Sequence, residues 1–575
     1  MVAGTQGTVS FIGNSPLLTG SFSGLDTAAI IEASLAVKRI PIDRLNNRIS
    51  DNDTRVAAFN EFTALLETLQ SSVNALRNPP GSTGILSNVF EQKSAFITSD
   101  TATPATEILG ATATNNAAPG VYEIIVDQIA EAHKISGGTL TDVSTGLGIT
   151  ETLTINLAGA AAEETATIDI TADMTATDVV FAINAVTGTT GVRASALKIA
   201  DNDFRIVFTA EETNKDIELS GTTGQILGAT GLDVSADNGA TYTTVLQPSQ
   251  PAQLRLDGIP TVIERDSNEI DDLIDNVTLD LFKESDSTGT TITLEIEPDL
   301  SGVKAQIEGF VAAYNDVKTF LNSQQVVSED GEVDASAILF GDNLLRSLGR
   351  DLGTDLADLV DGLDSTALAT LRGVGIELSE DGTLTVDNGA LDANLVDKLD
   401  EVRGVFEFGF QSSSPDIRMI ARNELLNVGD FTIDVPAGAI DGTNLQVDGV
   451  DAFEVDGGLL RGLDGTVYEG MTLAYNRNPA EPAESISIST STGIAERLYQ
   501  RLDNYINQGD GLITEEVNRL QAQNEDFVDQ IESLEARLVI FQNKLIEKYA
   551  AMERAVAAAE AASSQLEAFL KGGDD

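Results

Sequence analysis

Cysteine and tryptophan are absent from this chain, and histidine occurs once, as His133. Without cysteine there are no disulfides, no thiolate metal sites and no cysteine nucleophile. With a single histidine no two-histidine metal site exists, and a Ser-His-Asp system would rest on His133 alone. Basic residues are scarce: 34 Lys and Arg stand against 91 Asp and Glu, a formal net charge of −57. Phosphate backbones and anionic membrane surfaces repel such a chain, so neither nucleic acid nor membrane is an expected partner. The acidity reads as solubilising self-repulsion. No apolar run approaches the roughly 18 residues of a membrane span. No charged residue precedes Asp26, so the basic start of a Sec signal is missing and export would take another route. No Walker loop, dinucleotide fingerprint, nucleophile elbow or EF-hand loop occurs. Asp330-Gly331 and Asp381-Gly382 read as hairpin turns, not calcium ligands. No cofactor or metal is expected, and catalysis has no foothold.

At 575 residues the chain exceeds one hydrophobic core, and roughly three to five structural units are expected. Both ends are helical in pattern. Residues 1–23, rich in Gly, Ser and Thr without sustained periodicity, are expected to be disordered in the isolated chain. From Leu25 the pattern turns helical, Asp26 can cap, and Ile30, Ile31 and Leu35 share a face. Pro41 is expected to kink or break this helix. Apolar residues from Ile42 to Leu76 then recur at helical spacing until Pro79-Pro80-Gly81 stops them. At the far end Ile513, Val517, Leu520, Phe527, Ile531, Leu534, Leu538, Phe541 and Leu545 step alternately four and three, with Asn524 in the one polar slot, as in a coiled-coil seam. An extra step of four between Leu545 and Tyr549 is a stutter, after which Met552, Val556, Leu566 and Leu570 continue the stripe. The spacing leaves open whether this seam closes within one chain or between chains.

The middle is rich in short Val, Ile and Thr runs, such as 121–126, 153–157, 204–209 and 290–297, which predict antiparallel strands. From 101 to 250 there are 19 acidic and 5 basic residues, a solvated anionic block. Helices are expected over 302–322 and 338–361. One internal repeat is visible. Leu254-Arg255-Leu256-Asp257-Gly258, followed later by Val277-Thr278-Leu279, matches Leu445-Gln446-Val447-Asp448-Gly449, followed by Met471-Thr472-Leu473. Gly120-Val121-Tyr122-Glu123-Ile124 precedes the one and Gly429-Asp430-Phe431-Thr432-Ile433 the other. Residues 421–489 are therefore expected to repeat the β unit built from 112–134 and 251–298.

The opening Gly20-Ser21-Phe22-Ser23-Gly24-Leu25-Asp26-Thr27, followed by Lys38-Arg39-Ile40-Pro41-Ile42-Asp43-Arg44-Leu45, resembles the start of the flagellar hook-associated protein 2, or filament cap, family. Further segments resemble it in the same order: Ala132-His133-Lys134, 179–185 with Gly191-Val192, Ala313-Tyr314-Asn315 within 303–321, 373–376 with Asp381-Gly382-Thr383-Leu384, and Gly509-Asp510-Gly511-Leu512-Ile513. No single motif is specific; their order along the chain is. His133 within this pattern reads as a structural residue.

The resemblance implies an α+β multidomain fold, with terminal α-helical coiled-coil leg regions and antiparallel β head domains inserted between them. Residues 1–40 would be a disordered start and terminal leg helix. Residues 41–84 with 299–420 and 490–545 would form a helical coiled-coil domain. A β head domain would comprise 85–134 with 246–298, an outer β head domain 135–245, an additional β domain 421–489, and a C-terminal leg helix 546–575. The additional domain departs from a minimal cap protein. The implied function is a non-enzymatic cap at the distal tip of the bacterial flagellar filament, an oligomeric structural chaperone that promotes insertion and polymerisation of exported flagellin. The implied partners are further copies in a pentamer-like ring, flagellin, the hook–filament junction proteins and an export chaperone at the C-terminal helix. Candidate assembly residues are Leu25, Ile30, Ile31, Leu35, Leu545, Tyr549, Met552, Val556, Leu566, Phe569 and Leu570. A secreted β-rich adhesin or tail-fibre-like oligomer is the competing reading, and a secreted hydrolase working through carboxylates a third.

Overall fold

The protein is seen in a computed structural model that describes residues 8–12, 15–19, 23–79, 88–222, 244–285, 289–328, 330–363, 368–423, 426, 428–438, 440–477 and 482–571. Residues 20–22 of the opening motif and the Pro80-Gly81 stop lie outside them. The chain forms two compact units, Met1–Gly84 with Lys304–Asp575, and Ile85–Val303. The fold is α+β, with helices from the two termini and antiparallel β domains between them.

The first unit is built on helix α1, Thr27–Asn74, whose start is capped by the Asp26 carboxylate accepting the Ala29 N–H at 3.0 Å. Of the two outcomes expected at Pro41, a kink or a break, the break does not occur: α1 runs through it. Proline forfeits one backbone hydrogen bond, but Ile31 and Leu35 are buried before it and Ile42 after it, which holds the helix line across the gap. Contrary to expectation, Thr8–Ile12 and Ser15–Thr19 form an antiparallel hairpin that lies against the terminal helices. These two segments depart from the disordered reading; Val9 and Phe11 alternate in the first and Leu17 and Leu18 lie in the second, apolar residues that favour pairing over a solvated coil. Further helices that carry the framework are α2, Leu300–Ser323, α3, Asn343–Ala357, α4, Leu399–Phe406, α5, Ile494–Ile506, and α6, Leu512–Lys571, with shorter ones at Leu371–Val374 and Asn388–Asp397. The helix expected over 338–361 is thus shorter at both ends. Phe62 of α1 stacks on Phe320 of α2 at 4.9 Å, and Phe310 of α2 meets Phe406 of α4 edge-on at 6.3 Å. Two of the ordered sequence motifs meet here. The Asn315 amide both accepts from and donates to the Leu384 backbone, at 2.7 and 2.9 Å, and the Tyr314 hydroxyl donates to the Gly382 carbonyl at 3.1 Å.

The second unit holds a β module of strands β1, Lys93–Ser99, β2, Leu109–Ala113, β3, Gly120–Gln128, β4, Ala252–Leu256, β5, Ile263–Arg265, β6, Glu269–Ile274, β7, Val277–Leu281, and β8, Ile292–Pro298. They form a five-stranded sheet β5-β4-β3-β8-β1 and a three-stranded sheet β6-β7-β2, enclosing Ile124, Leu254, Leu279, Ile292 and Leu294. Between β3 and β4 an outer block adds a four-stranded and a three-stranded sheet and a helix, Ala176–Ala185, around its own core.

A further eight-stranded antiparallel sheet lies in the first unit, between α4 and α5. Its strands are β9, Phe408–Ser412, β10, Ile417–Ala421, β11, Phe431–Val435, β12, Asn444–Val447, β13, Val450–Asp456, β14, Leu459–Gly462, β15, Thr472–Tyr475, and β16, Glu484–Thr492. Their order is β9-β16-β11-β12-β13-β14-β15-β10. The two edge strands are consecutive in the chain, so the sheet curls round a core that includes Phe431, Phe453 and the half-buried Tyr468.

His133, on the outer-block strand Ala132–Ser136, is buried, and its Nδ1 accepts the Ile217 N–H at 2.9 Å. Burial holds its pKa below the ordinary 6.5, and the nearby Asp216 opposes this only in part. The folded state therefore favours the neutral ring. Its contribution is complete above pH 6.5 and is lost as pH falls through the lowered folded value. His133→Asn keeps an acceptor near the Nδ1 position but cannot titrate. The wild type should lose melting temperature between about pH 6.5 and pH 5 by more than this variant does. Equal losses in parallel thermal melts would show that the imidazole is not the titrating group.

Candidate assembly interface

The seam of α6 closes within the chain. Ile513 and Leu520 are buried near its start, and farther along Leu538, Phe541, Leu545, Ile546 and Tyr549 pack on Ile31 and Leu35 of α1. The polar slot at Asn524 faces a matching one. The Asn52 amide donates to Asn524 at 2.9 Å and to Gln523 at 3.1 Å, and Asn524 donates to Asp53 at 2.7 Å. A polar pair inside an apolar seam sets the register of two helices, because any slip would bury it without partners. Lys38 lies over Phe541 and Arg48 over Phe527, each 5.8 Å from the ring centre. The stutter at Leu545 does not interrupt α6.

Among the candidate assembly residues this pairing divides buried from exposed. Ile31 and Leu35, 0% and 2% exposed, belong to the chain's own core, which removes them from any surface. Leu545 and Tyr549 are half-buried against them, and Met552 and Val556 are also half-buried. Leu25, Ile30 and Leu566 stand open, at 47%, 38% and 66% exposure. The side chains of Phe569 and Leu570 lie outside the described residues. Periodicity alone passed over the neighbours Val37, Ile40, Val539 and Ile540, all exposed apolar side chains on the same two helices. The unbroken apolar run Leu538-Val539-Ile540-Phe541 was the available signal, since a seam needs only two of the four. Glu553 was missed too. It is buried and receives both the backbone N–H and the hydroxyl of Ser23, tying the start of the chain to its last helix.

A second group of side chains, silent in the sequence, fixes the root of the β sheet in this unit. Glu496 of α5 is wholly buried and takes Arg422 through both oxygens, at 3.2 and 3.0 Å, and Arg77 at 3.4 Å. The Arg422 guanidinium also donates to the Asn78 carbonyl at 2.7 Å and lies 4.2 Å over the Phe408 ring. Arg77 lies 3.5 Å over Tyr499. One carboxylate thus joins the end of α1, the segment just after β10 and the first turn of α5. Nearby, Gly493 has no room for a side chain, since a Cβ would stand 2.3 Å from the Phe406 carbonyl. Among the described residues no group of three or more His, Asp or Glu is placed to hold a metal ion, and no helix is long and apolar enough to cross a membrane.

Terminal helices paired over much of their length, with β domains inserted between them, are the architecture of a structural assembly protein rather than of a pocketed enzyme. Residues 249–561 match the pattern of the flagellar hook-associated protein 2 C-terminus, residues 23–133 that of its N-terminus, and residues 152–212 the flagellin hook IN motif. The A-type flagellar hook-associated protein 2 of Pseudomonas aeruginosa is 28% identical over 411 residues, 68% of this chain and 80% of that one. The flagellar hook-associated protein 2 of Escherichia coli K12 is 27% identical over 389 residues, 65% and 77% respectively. The crystal structure of the Escherichia coli flagellar cap protein FliD, domains D1-D2-D3, superposes with a TM-score of 0.50 over 80% of this chain and 99% of that one, at 22% identity, a likeness of fold. The chain belongs to the flagellar hook-associated protein 2 family.

Three substitutions separate the roles of these side chains. Leu35→Ala should cost about 2–5 kcal/mol in denaturant unfolding, because it opens a cavity in the helix pair, whereas Leu566→Ala should stay within about 0.5 kcal/mol. Equal effects would place Leu35 outside the core. Glu496→Ala leaves two buried guanidinium groups without their carboxylate and should cost about 3–5 kcal/mol by the same measurement. A cost below about 1 kcal/mol would show that solvent already reaches the cluster.

Proposed function

We propose that this chain caps the distal tip of the flagellar filament as a ring-like, pentamer-like homo-oligomer. There it acts as a structural chaperone that admits exported flagellin and directs its insertion, without catalysis. Membership of the family supports the cap role. The observation that carries the mechanism is the apolar surface left on the paired terminal helices once their seam is satisfied: Val37 and Ile40 on α1, Ile540 and Leu566 on α6, are 44–66% exposed. Apolar side chains left exposed on the outside of a closed helix pair are surface for another helix. Residues 554–568 of α6 carry this furthest, being exposed apart from Val556 and Ala557. In this reading Leu25, Ile30 and Leu566 meet neighbouring subunits or flagellin. The last turns of α6 first engage an export chaperone and later the hook–filament junction proteins. A chain without disulfides suits export in an unfolded state through the flagellar channel and residence at the filament tip.

Ile540→Asp and Leu566→Asp test this reading, because neither side chain supports the chain's own core. Each variant should melt like the wild type as an isolated chain. In cells lacking their own copy, each should leave filaments short or missing, with flagellin spilled into the medium. Wild-type filament length with either variant would exclude that position from the interface.

A further inference from the structure

The eight-stranded sheet of the first unit and the β module of the second correspond strand for strand. The module's two sheets, laid end to end as β1-β8-β3-β4-β5 and β6-β7-β2, give the order β9-β16-β11-β12-β13-β14-β15-β10 when each label is raised by eight. Registers agree as well. Ile124 pairs with Ile292 and Leu256, while Ile433 pairs with Ile486 and Val447. Tyr122 stands opposite Leu294 as Phe431 stands opposite Ile488. Leu279 stands opposite Ala111 as Leu473 stands opposite Met419. The turn after β4 has Asp257 and Gly258 at φ 51° and 66°, and the turn after β12 has Asp448 and Gly449 at φ 52° and 78°. A non-glycine residue in the left-handed region is uncommon enough that its recurrence at one matched position is informative. The last strand of each set, β8 or β16, leads directly into a helix, at Leu300 in one case and Ile494 in the other. Side chains buried in one set are buried in the other: Leu254 and Leu445, Ile292 and Ile486, Leu109 and Ile417.

One difference is large. Between β3 and β4 the chain runs from 129 to 251 and builds the outer block, whereas between β11 and β12 it passes through residues 436–443 only. We infer that residues 408–492 are a second copy of the β module, fixed to the helices by the same two strands, and that residues 436–443 are a second acceptor position at which this chain can carry an outward-facing domain. The physical requirement for carrying a domain is that the two ends of a connection lie side by side on neighbouring antiparallel strands, so that an inserted domain does not strain the sheet. Strands β11 and β12 meet it through the pairs Ile433–Val447 and Asp434–Gln446, as β3 and β4 do through Ile125–Arg255 and Ile124–Leu256. Glycines at positive φ, Gly438 and Gly442, already turn this connection.

In the full chain, residues 436–443 are replaced by 129–251, and the natural outer block is left in place. Hydrogen exchange should then show the amides of Ile433, Leu445 and Ile486 protected as in the parent chain, and protease should release no fragment of the grafted block. Loss of that protection, or digestion of the graft while the native block survives, overturns the acceptor assignment. A second pair of variants decides the matter without a graft. A flexible insert of about 20 Gly and Ser residues after Gly438 should lower the melting temperature of the sheet by less than about 4 °C, since loop-closure entropy grows slowly with length. The same insert between Asp448 and Gly449 breaks a two-residue turn and should lower it at least twice as far. Equal losses at the two positions would overturn the inference.

Discussion

The pairing of α1 with α6 joins the two ends of the chain, and every inserted unit has to respect it. Asn52 and Asn524 touch across 472 positions of sequence. Closing so long a loop is costly in entropy, although the cost rises only slowly with length, so material between the ends is tolerated on one condition. Each insertion must leave and rejoin the helical framework at nearly the same place. Both β modules meet it with their outermost chain segments, β1 beside β8 and β9 beside β16, which are hydrogen-bonded antiparallel neighbours. The second module is held more firmly than this alone requires, because Glu496 binds Arg422 at its root and Arg77 at the end of α1.

Charge is distributed in keeping with this plan. A net charge of −57 keeps the surface solvated and repels non-specific association. Several of the few cations are withdrawn from that surface. Arg77 and Arg422 are buried on Glu496, while Arg501, itself partly exposed, holds the buried Asp355 through two contacts of 3.0 and 3.2 Å. Such pairs contribute little net stability against an apolar replacement, but they penalise any arrangement in which a partner is missing. Their effect is to specify which elements meet. Apolar side chains such as Val37, Ile40 and Ile540 stay exposed outside the α1–α6 seam.

Much of the fold was legible because periodicity reports directly on burial. The four-three stepping of 513–545 marked the coiled coil, and its polar slot at Asn524 marked the register. The alternation around Ile124 and Ile433 marked strands, and the Asp-Gly turns that follow both sets exposed their kinship. Local signals misled where tertiary packing outweighed them. Pro41 is a breaker by its own chemistry, yet the helix continues, with Ile31 and Leu35 buried on α6 before it and Ile42 buried after it. Gly- and Ser-rich residues near the start read as disordered, yet two short segments there pair as strands.

The sequence by itself determined the composition of the faces: which helices carry an apolar stripe, which runs alternate, and that no thiol or histidine-pair chemistry is available. These depend on residue identity and spacing, which the chain states outright. Only the tertiary structure decided which stripe meets which. The same heptads suit a ring or a hairpin equally well, and the choice falls to α1, which buries Ile31 and Leu35 and leaves Ile30 outside. The Arg77–Glu496–Arg422 cluster is likewise invisible in sequence, because Arg77 lies 419 positions and Arg422 74 positions from Glu496, and each alone looks like a solvated surface charge. Distance along the chain carries no record of contact, so such sites exist only once the fold has closed.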